Sequence, residues 1–87
     1  MNQPGLQALI LKDLGNANRD KGDLDAAGGY YQKSLAVEKQ PKLETLQLAV
    51  LYDNWGLLDL RQKKISDAEQ HFLAAKRIFE KLSLIHI

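Results

Sequence analysis

The chain has 87 residues, 45% of them apolar and 26% charged, with sixteen leucines, no cysteine and a net charge of +1. One domain is the upper limit at that length, and folding hides only about 60–65% of the unfolded surface, so stability is marginal. These numbers exclude a disulfide scaffold, a thiolate metal site, a thiol nucleophile, compositional disorder, and the basic excess of a nucleic-acid binder. No apolar run approaches the roughly 18–20 residues of a membrane span. Met1-Asn2-Gln3-Pro4-Gly5 lacks the basic start of a signal peptide, which points to a cytoplasmic protein. A composition rich in Leu, Ala, Lys, Gln and Glu and poor in Val and Thr predicts an all-α fold.

The first helix carries Leu6, Leu9, Ile10, Leu14 and Ala17 at i, i+3, i+4, i+8 and i+11. Asn18 to Gly22 form a polar stop, with Gly22 where a helix C-terminus takes a left-handed residue. Asp25 is the expected N-cap of the second helix, whose apolar face is Leu24, Ala27, Tyr31 and Leu35, with small Ser34. Gly28-Gly29 is expected on its solvent side. Gln40-Pro41 ends it, because proline pushes the preceding residue out of the helical region.

Pro41 is placed in the first turn of the third helix, which runs through Leu43, Leu46, Val50, Leu51, Trp55 and Leu58 to about Gln62. Lys63 stands where the first half has Gly22 and must either adopt a left-handed conformation or close the helix differently. Ser66 and Glu69 have the spacing of a capping box. The fourth helix carries Ala68, Phe72, Ala75, Phe79 and Leu82, and Ser83 to Ile87 form an apolar tail.

The two halves repeat with a period of 41 residues. Leu14-Gly15 returns as Trp55-Gly56, Leu24 as Ile65, Ala27 as Ala68, Tyr31 as Phe72 and Ser34 as Ala75. A fixed offset that keeps side-chain size marks one supersecondary unit copied once. Repeat one spans about 6–40 and repeat two about 42–82.

This pattern resembles the tetratricopeptide repeat. Its carriers are Leu11-x-x-Leu14-Gly15, Gly22-Asp23-Leu24, Ala27, Tyr31 and Ser34, and then Tyr52-x-x-Trp55-Gly56, Ile65, Ala68, Phe72 and Ala75. The period exceeds the usual 34 or so residues and is similar to the long variant of kinesin light chains and bacterial arrays. The resemblance implies four antiparallel helices, stacked as two units of a right-handed α-solenoid. It also implies a non-enzymatic module that holds a peptide or helix of a partner protein in a groove formed by the first and third helices. Carried onto this chain, the peptide-binding positions are Lys12, Asn16, Arg19, Asp53, Asn54, Leu57 and Arg61. Lys12, Asn16 and Asn54 match three of the five positions with which some members clamp a C-terminal carboxylate. The other two belong to a third repeat that this chain lacks, and the bland alternative is a solvated polar face.

Other constellations fail. Asn16-x-Asn18-x-Asp20 followed by Gly22 misplaces the glycine of a calcium loop and ends on Ala27 instead of a glutamate. His71 is expected on the outward face of the fourth helix and His86 in the tail, too far apart for a metal site or a catalytic pair. Tyr30, Tyr31, Tyr52 and Trp55 read as packing residues. No cofactor, metal, membrane or nucleic-acid partner is expected. Phe72, Ile78, Phe79, Leu82, Leu84 and Ile85 form an apolar end without a partner in the chain. The alternative function is therefore self-association, as a homodimer or by helix exchange near Gln40-Pro41, or a fragment of a longer array.

Overall fold

A computed structural model describes residues 4–38 and 45–85. Among them are four helices, α1 (Pro4–Lys21), α2 (Leu24–Glu38), α3 (Leu46–Arg61) and α4 (Ile65–Ile85), and no strand. The chain divides into two compact units, Met1–Leu43 and Glu44–Ile87. Each is an antiparallel helical hairpin, α1 with α2 and α3 with α4.

The first hairpin is held by a ring lying on bare backbone. Tyr31 is fully buried, and its ring sits so close to Gly15 that a Cβ there would lie 2.5 Å from Cε1. Ala8 and Ala27 are buried beside it, small enough for the helices to approach. Ser34 is buried and its hydroxyl donates to the Ala8 carbonyl at 2.8 Å, so the polar atom it brings inside is satisfied. The second hairpin repeats this with Phe72 on Gly56, where a Cβ would again be 2.5 Å from the ring. Ala49, Ala68 and Ala75 replace Ala8, Ala27 and Ser34, and all three are buried. Tyr31 and Phe72 thus fill space within their own hairpins. Gly29 has open space where its Cβ would be, as expected for a solvent-side glycine.

Both turns are Schellman motifs at the same offset. In the first, Gly22 N–H bonds the Arg19 carbonyl at 3.1 Å and Asp23 N–H the Asn18 carbonyl at 2.8 Å, with Gly22 at φ 96°. In the second, Lys63 N–H bonds Leu60 at 3.0 Å and Lys64 N–H bonds Asp59 at 2.8 Å, with Lys63 at φ 60°. Lys63 therefore takes the left-handed conformation despite its Cβ.

Three helix starts differ from expectation. The cap of α2 is Asp23, whose carboxylate accepts from Ala26 N–H at 3.3 Å, while Asp25 lies in the first turn. The Schellman turn delivers the chain directly into the next helix, so its last residue doubles as the cap. For the same reason α4 begins at Ile65 behind Lys64, whose carbonyl accepts from Ala68 N–H at 3.0 Å. Ser66 then sits inside the helix and does not form a capping box with Glu69. The third start is α3, capped by Thr45 in extended conformation, its hydroxyl accepting from Leu48 N–H at 3.1 Å. Gln40, Pro41 and Leu43, expected at this junction, lie outside the described residues. At the far end α4 continues through Ile85, so Ser83 to Ile85 are helical. Pro4 opens α1, where its missing N–H has no helical partner to lose.

Two outcomes test this packing by urea denaturation. Gly15→Ala and Gly56→Ala should each destabilise by about 1–3 kcal/mol, the range for overpacking a tight contact, and an unchanged midpoint would remove the ring-on-glycine account. Writing the first turn into the second, as Lys63→Gly with Lys64→Asp, should stabilise by about 1–2 kcal/mol through relief of the left-handed lysine and gain of a cap side chain.

Candidate functional site

The expected peptide-gripping side chains of the first hairpin are already engaged. Tyr31 is central: its hydroxyl donates to Asn16 Oδ1 at 2.5 Å and accepts from Arg19 Nη1 at 3.4 Å. Arg19 Nε also reaches Asp20 Oδ1 at 3.3 Å. Burial pushes the Tyr31 phenol up, the Arg19 guanidinium opposing it and Asp20 adding to it. Asn16 and Arg19 thus bind the molecule's own tyrosine across the hairpin. Lys12, largely covered, pairs with exposed Asp13 at 3.9 Å.

On α3, Asp53 and Arg61 are exposed. Asn54 Nδ2 donates to the Val50 carbonyl at 2.9 Å, a bond back onto its own helix. Leu57 is 46% exposed. The step from one unit to the other is informative. Tyr31 becomes Phe72, and its two hydroxyl partners change with it, Asn16 to Leu57 and Arg19 to Leu60. The polar cluster is replaced by exposed leucine.

The second hairpin has an apolar pocket of about 360 Å³, lined by Leu60, Ile65, Ala68, Phe72 and Leu73, with Glu69 and Lys76 also lining it. Leu60, Ile65 and Leu73 are 45%, 62% and 50% exposed, so the pocket faces outward. Of the residues expected to mediate self-association, Phe72 lines this pocket and Phe79 is exposed, while Leu82 is half-buried. Ile78 is only 4% exposed and packs inside, because the long α4 turns that position inward. The side chains of Leu84 and Ile85 lie outside the described residues.

His71 overturns its expected outward placement. Its ring stacks on Trp55, centroids 4.5 Å apart and 20° between planes, and on Tyr52 at 5.9 Å. Nδ1 lies 2.5 Å from Oδ2 of buried Asp59. A carboxylate only accepts, so the facing nitrogen carries the proton. Asp59 thereby brings a satisfied charge-accepting group into the hairpin, and the ring fills the gap between α3 and α4. The signal was present in the sequence, since Trp55 and Asp59 are one helical turn apart on α3. The coupling across the turn to His71 is what periodicity does not reveal. His86 lies outside the described residues.

Among the described residues, no group of three or more His, Asp and Glu side chains is arranged to hold a metal ion, and no helix is long and apolar enough to cross a membrane. Compared with known proteins, the chain matches no family model, no curated protein and no solved structure.

The hydroxyl cluster has a pH signature. A phenol raised in the folded state contributes stability that is complete below the unfolded value of about 10 and is lost as pH rises through the folded one. Tyr31→Phe should therefore flatten part of the alkaline loss of stability that sets in as pH rises past about 10, measured as urea midpoints against pH. An identical decline in both proteins would show that this phenol carries no such linkage.

Proposed function

We propose that the chain is a non-enzymatic protein-interaction module, a pair of tetratricopeptide-like repeats of the long type, acting in the cytosol through an apolar helix presented by a partner protein. The observation that carries this is the open pocket around Leu60, Ile65, Phe72 and Leu73. Contiguous exposed apolar side chains on a small fold mark partner sites more often than accidents. A helix supplying leucines at i, i+4 and i+8 matches such a pocket, its stripe entering between α3 and α4 while Glu69 and Lys76 are in place to contact its polar flanks.

The repeat reading is supported by the two Schellman turns, the two glycine–ring contacts and the buried alanines, all at an offset of 41.

The test uses an isolated helical peptide with leucines at i, i+4 and i+8 on a neutral polar background, titrated into the full chain and followed by amide chemical shifts. Shifts should centre on Leu60, Ile65, Phe72, Leu73 and Lys76, and should vanish in the Leu60→Asp, Leu73→Asp double variant, whose substitutions fall on exposed side chains and leave the fold intact. Binding mapped elsewhere, or no binding at high peptide excess, would overturn the proposal.

A further inference from the structure

The wall of the second hairpin's pocket carries two charges of opposite sign. Glu69 and Lys76 are both exposed, and with half-exposed Leu73 they stand at i, i+4 and i+7, one stripe of α4. Seven residues set the two charges about 10.5 Å apart along the helix, beyond the three- or four-residue spacing at which helical ion pairs form. The helical neighbours of Glu69 are Ile65, Ser66, Phe72 and Leu73, so α4 offers it no base. Among the described residues neither charge takes part in an ion pair. At the offset of 41 the first hairpin has Gly28 and Leu35 in their places, and Arg19 in place of Leu60. The second hairpin therefore differs from the first by an apolar centre with an acid towards the α3–α4 turn and a base towards the far end of α4.

We infer that the pocket receives a partner helix carrying a base and an acid two turns apart beside its apolar stripe, the base on Glu69 and the acid on Lys76. This rests on the pocket being a docking site for a partner helix, and it names that helix by its charges. A partner with charges of one sign meets one like charge whichever way it lies. A neutral partner covers both wall charges without pairing them, which costs part of their hydration. Only a mixed pair meets both. Opposite signs on the wall also fix the direction of the bound chain. A partner with the base before the acid runs parallel to α4, and one with the acid first runs antiparallel. Exposed pairs add little strength each, so Glu69 and Lys76 act on the choice and direction of the partner more than on affinity.

Three helical peptides test this, identical except at two positions seven apart that flank a leucine stripe: Lys then Glu, Lys at both, and Glu at both. Titrated into the full chain and followed by amide shifts, the Lys-then-Glu peptide should bind about threefold to tenfold more tightly than either single-sign peptide, as one exposed like-charge contact becomes an ion pair. A nitroxide at its N-terminus should broaden the amides around Ile65 and Glu69 more than those around Lys76. Glu69→Lys with Lys76→Glu should move the broadening to the other end of the pocket. Both substitutions fall on exposed side chains, and circular dichroism checks that the helices remain. Lys63 and Lys64 of the turn stand unchanged in both proteins, so the exchange isolates the two wall charges. Equal affinity for the three peptides, or broadening that the exchange leaves in place, would overturn the inference while docking at the pocket stands. Binding of none of them would remove the docking site itself, and this inference with it.

Discussion

The contact between an aromatic ring and a glycine backbone sets the geometry of each hairpin. A ring at van der Waals distance from backbone fixes how near the two helices come, and the rest of the interface must fit that distance. Ala8 and Ala27, or Ala49 and Ala68, are the size that leaves no gap and causes no clash. Ser34 and Ala75 stand one turn beyond the ring, where a small side chain is again needed. The serine adds a hydroxyl and finds the Ala8 carbonyl for it, whereas alanine needs nothing. The same distance demands a short connection, and the Schellman turn supplies one in two residues between α1 and α2 and in three between α3 and α4 while satisfying carbonyls at the end of the preceding helix.

On that common frame the two units differ by one oxygen atom and its consequences. Tyr31 carries a hydroxyl, and Asn16 and Arg19 converge on it. Phe72 has none, so a polar side chain at the position of Asn16 or Arg19 would have no partner on the ring. Leu57 and Leu60 stand there instead and leave apolar surface open. One unit thus ends in a closed polar cluster and the other in an open pocket, though the helices beneath are held by the same contact. The surface diverges here without any change in the helix pairing beneath it.

The all-helical class, the four helices and their pairing were legible in the sequence, because a period of 41 and a helical spacing of apolar residues survive without knowledge of contacts. The left-handed residue at Lys63 was legible too, since Gly22 marked the position. What escaped depends on partners distant in sequence or on exact phase. Asp23 and Asp25 are both reasonable caps, and only the turn geometry chooses between them. Thr45 caps α3, but Pro41 is the stronger local signal and drew the helix start towards itself. Asn16 and Arg19 carry the polarity of a ligand site, yet both are hydrogen-bonded to a tyrosine across the hairpin. His71 presents the same difficulty. A lone histidine on a polar helix reads as surface until Asp59 and Trp55 are seen to meet it.

Magnitudes decide what a partner would have to bring to the open pocket. Leu60, Ile65 and Leu73 are each about half exposed. Burying the exposed half of a leucine or isoleucine is worth about 1 kcal/mol, so these side chains would supply about 3 kcal/mol. Association itself costs at least about 4 kcal/mol in lost freedom. On the proposed reading, a partner helix would therefore have to bury comparable apolar surface of its own, and one already ordered would lose less freedom on binding.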